Sequence, residues 1–399
     1  MDGVVAAPRA RARPALSRAP ALAHPLRVLL LNERDPRHPA AGGAEVHVAE
    51  VSRRMAAQGF EITQAACSFP GAADAEELPG LFVRRLGPLA LYYPRVVAWT
   101  ARETRRGRFD AVLEHLNKVP YCASLYAATP VVAVCHHLFG ASAFLQVAWP
   151  IAVGVVAIER LIPRCYRNVD LLAVSESSRD DLVRRGIDPA RIAIAHNGIH
   201  PPAIEPRPQA LRPLRVAYLG RLEPYKRVER LLRAAARLVP RFPDLELVLI
   251  GRGSHRPALE RLAAELGLAA RTTFAGFVAD DERDALVAGA RVAVCPSVKE
   301  GWGITVIEVN ALGVPVVATD APGLRDAVRD GETGFLVPDG PEGPFVDALA
   351  GRISSLLSDA SLAERLSQAA LAWSARFRWD AAAEITARTV EASVARHRI

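Results

Sequence analysis

The chain alternates short apolar runs with longer amphipathic segments, and this rhythm restricts its fold more than any other feature. Such runs lie at residues 27–31, 110–115, 130–135, 170–175, 191–196, 214–220, 245–251, 272–277, 291–296, 314–319 and 334–338. Strands separated by helix-length segments usually pair in parallel, and they are apolar throughout because helices cover both faces of the sheet. The pattern therefore predicts an α/β fold with doubly wound parallel sheets.

A proline-rich stretch divides the pattern into two halves. Residues 200–213 read HPPAIEPRPQALRP, which can continue neither a helix nor a central strand. A chain of 399 residues also exceeds what one hydrophobic core usually serves. We therefore predict two Rossmann-like domains, at residues 26–203 and 204–375, that face each other across a cleft.

The charge of the chain is +7 and is unevenly distributed. The first 27 residues hold five arginines against one aspartate, and residues 1–25, rich in Ala, Pro and Arg, are predicted to be a disordered basic tail. This tail lacks the compact apolar region of a signal peptide, and the five cysteines never form a C-x-x-C pair. We expect a cytoplasmic protein. Nucleic acid is the rival partner for a basic chain, but no recognised nucleic-acid motif accompanies the charge, so we expect none.

Two further segments suggest contact with a membrane. Residues 84–108 combine arginines with Tyr92, Tyr93 and Trp99, a mixture that suits an anionic bilayer surface. Residues 138–158 carry no charged side chain, yet Gly140, Pro150 and Gly154 argue against a spanning helix. We predict a core helix there with one exposed apolar side, and peripheral contact with the inner face of the plasma membrane. The alternative is a fully buried helix pair.

Residues 299–325 have the features of a nucleotide-sugar site. Gly301 and Gly303 permit close approach of the backbone to a ligand, and a helix predicted to begin near Ile304 offers unpaired N–H groups to a diphosphate. Glu300 and Glu308 lie on either side of this turn. Glu308 is expected in the first helical turn, where it can accept hydrogen bonds from a ribose or sugar diol.

Two other clusters lie after predicted strands. Gly43, in AGGAE, opens a helix and can approach an anionic or sugar group, although such a glycine often serves only a turn. Arg221 and Lys226, in GRLEPYKR, can clamp a diphosphate and neutralise the charge that develops as the sugar bond breaks. A solvated basic loop is the alternative, but ligands of open α/β sheets collect at this end of a strand.

Two adjacent histidines close the run at 130–135. We predict a functional role in the cleft for His136 and a structural role for His137. No D-x-D sequence is present to hold a divalent ion on a diphosphate, so no metal ligand is predicted, and basic side chains with helix dipoles must replace the ion.

Together these motifs resemble glycosyltransferase family 4, the retaining transferases of the GT-B fold, over roughly residues 26–385. The resemblance rests on AGGAE, the His136-His137 pair where the family more often has His-Asp, GRLEPYK, and the E-x7-E spacing of Glu300 and Glu308. It implies that residues 376–399 form a terminal helix that crosses back to the first domain.

The resemblance also implies individual roles. The donor-binding residues would be Gly43, Arg221, Lys226, Gly303, Ile304 and Glu308, and the catalytic residues would be His136 and Glu300. The implied reaction moves a sugar from a UDP- or GDP-linked donor to a glycan or lipid-linked acceptor with its anomeric configuration kept, in polysaccharide or glycolipid synthesis of the cell envelope. The donor is a co-substrate, and no cofactor is expected. A nucleotide-sugar epimerase and an inactive scaffold stay open as alternatives.

Overall fold

The structure is a computed structural model that describes residues 25–116, 119–145 and 148–398. The predicted disordered tail, apart from its last residue, lies outside these ranges.

The first half of the chain forms one mostly parallel sheet. Its strands, in the described residues, are β1 (Arg27–Leu31), β2 (Glu61–Ala66), β3 (Ala75–Leu78), β4 (Leu81–Arg85), β5 (Ala111–Leu116), β6 (Val131–Cys135), β7 (Asp170–Ala173) and β8 (Ile192–Ile194). They are ordered β3-β4-β2-β1-β5-β6-β7-β8, and the β3–β4 pair is antiparallel. The strands β5 and β6 are buried along their whole length, as expected for a sheet covered on both faces.

The second half forms a separate parallel sheet. Its strands are β9 (Arg215–Leu219), β10 (Glu246–Ile250), β11 (Thr272–Gly276), β12 (Val292–Cys295), β13 (Val316–Asp320) and β14 (Gly334–Pro338). They are ordered β11-β10-β9-β12-β13-β14, so the order reverses at β9, where β12 pairs on its other side. Such a reversal opens a crevice at the carboxyl ends of the strands.

Helices connect the strands of both sheets. The first half holds α1 (Gly43–Ala57), α2 (Leu89–Arg105), α3 (Trp149–Glu159), α4 (Ile162–Cys165) and α5 (Glu176–Arg184), and the second holds α6 (Val228–Leu238), α7 (Arg256–Glu265), α8 (Asp280–Ala288), α9 (Ile304–Ala311), α10 (Leu324–Ala327), α11 (Glu342–Ser358), α12 (Ala360–Ser374) and α13 (Trp379–His397). The proline-rich stretch between the sheets carries one short 3-10 helix, Gln209–Leu211, as a linker would.

The last helix, α13, packs on the first domain. It contacts α1, β5, β6 and β7, and its first residue, Trp379, is 2% exposed. A Cβ on Gly198 would lie 2.1 Å from the backbone nitrogen of Trp379, so this crossing requires glycine. The structure confirms the two doubly wound sheets and the returning helix. The boundaries 26–203, 204–375 and 376–399 stay predictions.

Two predictions about the surface need correction. Tyr92 is fully buried and its hydroxyl donates to the carbonyl oxygen of Ala65, so its ring does not face a bilayer, and the half-buried Tyr93 donates its hydroxyl to Glu33. The helix α3 is not a core helix, because only Ala152 and Glu159 of its eleven residues are buried. Its exposed apolar side is present as predicted. None of the helices in the described ranges combines the length and apolar character needed to cross a bilayer.

Candidate active site

The loop between β12 and α9 contacts the first domain. The Ser175 hydroxyl, after β7, donates to the carbonyl oxygen of Gly301 at 2.7 Å, and Lys299 Nζ donates to the carbonyl oxygen of Leu138 at 2.5 Å. A Cβ on Gly301 would lie 2.5 Å from the carbonyl oxygen of His136, so the two backbones meet without room for a side chain. The predicted Glu300 loop thus lies where the two domains touch.

Lys226 and Glu300 form an ion pair at this junction. Lys226 Nζ lies 2.5 Å from Glu300 Oε1, and the two side chains are 11% and 16% exposed. Desolvation is the largest single influence and lowers the pKa of Lys226, but Glu300, Tyr225 and Cys295 together outweigh it, so the pKa is raised above its usual value. The site therefore holds a fixed cation whose carboxylate partner can exchange for a diphosphate oxygen.

Tyr225 connects this ion pair with the second predicted cation. Arg221 Nη2 donates to the Tyr225 hydroxyl at 2.7 Å, and Lys226 Nζ lies 5.3 Å from the centre of the same ring. Arg221 itself is exposed. The strand β9 ends at Leu219, so both cations stand at the carboxyl edge of the second sheet, as predicted.

The N-terminus of α9 completes the donor side. Gly303 adopts φ +74° and precedes the first helical residue, Ile304, with no side-chain cap on the helix. Its N-terminal N–H groups and dipole favour an anion. The prediction that the helix begins near Ile304 is confirmed. The prediction that Glu308 lies in the first turn is wrong, because Glu308 is the fifth helical residue and begins the second turn.

Glu308 lies beside charges that the sequence did not reveal. Its carboxyl group is partly buried, and desolvation raises its pKa to about 7, opposed by Arg283 and reinforced by Asp284 and Asp280 of α8. Arg283 also binds both of those aspartates, each at 2.8 Å. Glu308 is thus a buried acceptor poised between its two protonation states near neutral pH.

We expect Glu308→Gln to stabilise the ligand-free protein more at pH 8 than at pH 5. A carboxyl group whose pKa is raised on folding costs little stability below its unfolded value near 4.5, and the cost grows until the pH passes about 7. Urea unfolding at both pH values measures the difference. Glu260→Gln, an exposed carboxylate on α7, is the control and should give the same small change at both. An equal gain for Glu308→Gln at pH 5 and pH 8 would contradict the raised pKa.

Gly43 belongs to the first domain. It is the first residue of α1, and a Cβ built on it would meet no atom within 4 Å among the described residues. Glu45 accepts a hydrogen bond from the Gly42 nitrogen at 2.7 Å and holds the turn in place. The open space above Gly43 can admit a ligand group, and its contact with the donor stays a prediction.

The two histidines after β6 occupy different environments. His136 is 4% exposed, and its Nε2 lies 2.9 Å from Nδ1 of His115 at the end of β5. His137 is partly buried, and its pKa is lowered to about 4, first by desolvation and then by Lys299, against the opposite effect of Glu300. His137, to which the sequence assigned a structural role, therefore senses the donor-site charges. The catalytic role of His136 stays a prediction.

The structure thus brings most of the predicted residues to one place. Lys226, Arg221, Glu300 and the start of α9 form a single polar cluster at the edge of the second domain, with Glu308 one turn along the helix. The sequence missed Tyr225 and Arg283. Their signal was weak, because an isolated tyrosine or arginine at a loop or helix gives no periodic pattern. The cluster offers cations, helix N–H groups and a carboxylate, which suits a sugar attached to a diphosphate.

The whole chain is similar to known glycosyltransferases. Residues 41–202 match the profile of "Glycosyltransferase Family 4", and residues 204–373 that of "Glycosyl transferases group 1". The D-inositol 3-phosphate glycosyltransferase of Streptomyces griseus is 30% identical, over 90% of this chain and 86% of that protein. The one from Rhodococcus jostii is 32% identical, over 86% of this chain and 83% of its own length.

Solved structures share the fold. Sucrose-phosphate synthase from Thermosynechococcus elongatus superposes with a TM-score of 0.74 at 24% identity, over 90% of this chain and 97% of its own. Anabaena HepE, in complex with UDP and glucose, superposes with a TM-score of 0.71 at 20% identity, over 92% of this chain and 100% of its own. With both profiles matched in order and both sheets of the GT-B fold in place, the chain belongs to glycosyltransferase family 4.

Proposed function

We propose that this glycosyltransferase moves a hexose from a nucleoside diphosphate sugar, UDP- or GDP-linked, to an acceptor hydroxyl with its anomeric configuration kept. The observation that carries the proposal is the Lys226–Glu300 pair beside the uncapped start of α9. A cation and a helix N-terminus together bind a diphosphate, and a carboxylate at the same point can bind the hydroxyls of the attached sugar.

The same residues support diphosphate binding without a divalent ion. Lys226 and Arg221 supply positive charge where other enzymes use a metal ion. The N-terminus of α9 adds a partial positive charge from the helix dipole. Glu300 is bound to Lys226 and is unsuited to act as a nucleophile. We therefore propose front-face attack, in which the leaving diphosphate accepts the acceptor proton and His136 and Glu300 stabilise the reacting sugar.

A panel of donors tests the binding half of the proposal. Thermal unfolding is followed with UDP, GDP, ADP and their common sugars, and a ligand that binds the native state raises the melting temperature. UDP-glucose is the first candidate, because HepE is described with UDP and glucose. No shift with any nucleotide would contradict donor binding and favour the scaffold alternative. If a labelled donor sugar is converted into another sugar when no acceptor is present, the epimerase alternative is favoured.

The acceptor we propose is lipid-linked and belongs to synthesis of envelope polysaccharide or glycolipid. Exposed apolar side chains follow the two histidines, with Phe144 50%, Trp149 73% and Ile151 59% exposed. Glu159, buried at the end of α3, accepts hydrogen bonds from the backbone of Phe139 and Gly140 and so ties this surface to the loop behind the histidines. An apolar surface attached to the site suits a substrate carried by a membrane.

We expect the double variant Trp149→Ser/Ile151→Ser to bind anionic vesicles at least about tenfold more weakly than the unmodified protein. Both side chains are exposed, so the fold should be unaffected. Co-sedimentation with vesicles of phosphatidylcholine and phosphatidylglycerol measures the binding. Leu211→Ser, which removes a 76% exposed side chain from the linker, is the matched control. If the unmodified protein stays in the supernatant, the membrane proposal is wrong.

A second acceptor is favoured by the relatives. Those that are 30–32% identical are named for D-inositol 3-phosphate, so a phosphorylated cyclitol is the competing candidate. Incubation of the protein with its donor and either D-inositol 3-phosphate or a lipid extract separates the two. If only D-inositol 3-phosphate yields a product, the acceptor is the phosphorylated cyclitol and the lipid-linked acceptor is wrong.

A further inference from the structure

Three histidines from separate elements meet in the core of the first domain. His47 lies on α1, His115 at the end of β5 and His136 directly after β6, and they are 0%, 1% and 4% exposed. Their rings are in contact, with the His47 and His136 centroids 4.9 Å apart and the His115 and His136 centroids 5.1 Å apart. Imidazoles are rarely gathered in a core without a shared partner, since each must satisfy two ring nitrogens.

Two of the ring nitrogens in this cluster have nothing to bind. His47 Nδ1 lies 2.8 Å from Asn197 Oδ1, which can only accept, so Nδ1 carries the proton and Nε2 keeps a lone pair. That Nε2 and the Nε2 of His115 are buried and have no hydrogen-bond partner among the described residues. Burying such a group unpaired is costly, and a bound cation removes the cost.

We infer that His47, His115 and His136 form a binding site for a divalent transition metal ion, with zinc as the expected occupant. One nitrogen from each ring lies within 4.8 Å of the other two. A tetrahedral zinc ion with Zn–N bonds near 2.1 Å needs nitrogens about 3.4 Å apart, so side-chain movements of roughly 1 Å close the site. Three imidazoles suit zinc and not magnesium, which prefers oxygen ligands.

The surroundings agree with coordination. A metal-binding histidine usually donates its second ring nitrogen to an oxygen, and Asn197 Oδ1 accepts from His47 in this way. Coordination would join α1, β5 and β6. It occupies one nitrogen of His136 and leaves the other for the role proposed in the cleft.

This site shares His136 with the proposed reaction but none of the diphosphate-binding residues, and it does not depend on the proposed function. Its test therefore uses the metal content of the protein and needs no substrate. The chain is produced without a polyhistidine tag in medium containing zinc, and its bound metals are measured by mass spectrometry. We expect about one zinc ion per chain, and the visible spectrum of tetrahedral cobalt after zinc is exchanged for Co²⁺.

Variants identify the ligands. His47→Gln and His115→Phe should each lower the zinc content at least about tenfold, since neither new side chain binds zinc well. His200→Ala, which removes a histidine whose side chain is 60% exposed, should leave it unchanged. If these variants do not fold, the unmodified protein still decides: chelation should lower its melting temperature and zinc should restore it. The inference is overturned if the unmodified protein holds less than a tenth of an equivalent of zinc and shows no cobalt spectrum. It is also overturned if His200→Ala loses as much zinc as His47→Gln and His115→Phe.

Discussion

Replacing Lys226 with methionine is expected to lower sugar transfer about 10²- to 10³-fold, the usual effect of removing one group that stabilises developing charge in a transition state. Lys226 is the buried cation of the donor site, and its ammonium group lies 2.5 Å from Glu300 at the domain junction. Methionine keeps the unbranched apolar part of the side chain and removes the ammonium group, so the loss reports the charge. The measurement is kcat with the donor found in the thermal-shift panel.

Glu300→Gln separates the role of the carboxylate from that of the lysine. Transfer should fall by a similar factor, because the sugar loses a charged hydrogen-bond acceptor. Binding of the nucleoside diphosphate alone should become tighter, because Lys226 no longer pairs with a carboxylate. Arg233→Ala, which breaks an exposed pair with Glu342 on the outer face, is the control and should leave both values unchanged. Weaker diphosphate binding in Glu300→Gln would contradict the proposed exchange of partners.

Replacing Arg85 with methionine is expected to destabilise the protein by about 3–5 kcal/mol. Arg85 Nε lies 2.8 Å from Asp35 Oδ2, and both side chains are fully buried at the carboxyl edge of the first sheet. Arg85 also reaches Glu76 at 2.9 Å, so it compensates two carboxylates. Without Arg85, the buried carboxylate of Asp35 has lost the cation that compensates its charge. Urea unfolding measures the loss.

A double variant shows that the penalty comes from the unpaired charge. Asp35→Asn added to Arg85→Met removes the buried carboxylate and should recover part of the lost stability. Arg233→Ala is again the control, and its exposed ion pair should contribute less than about 1 kcal/mol. A loss below about 1 kcal/mol for Arg85→Met would mean that water reaches Asp35.

The sequence predicted the fold well where strands are central and apolar. All eleven apolar runs overlap a strand, and the limits of β1 and β14 match their runs at 27–31 and 334–338. The strands β2, β3 and β4 were missed, because they carry Glu, Gln, Thr or Arg and lie toward one edge of the sheet. The edge strand β3 has no buried residue, and every second residue of β4 is exposed, so neither strand needs a continuous apolar run.

The site was predicted in part. Lys226, Glu300 and the start of α9 were found because each lies where a strand ends or a helix begins, and such places carry turn residues. His47 and His115 were missed, although His115 is the last residue but one of β5 and His136 follows β6 directly. His115 and His136 belong to neighbouring parallel strands and lie about twenty residues apart in the sequence. The register between the two strands decides whether their rings meet, and the sequence does not show that register.

The sequence by itself determined the two sheets, the linker and the family, since hydrophobic periodicity and turn residues act locally and are visible in one dimension. Only the tertiary structure decided which charges meet. It paired Lys226 with Glu300, placed Arg283 beside Glu308, and gathered three histidines from α1, β5 and β6. Desolvation and Coulomb interactions depend on distances between residues far apart in the chain, and folding alone sets those distances.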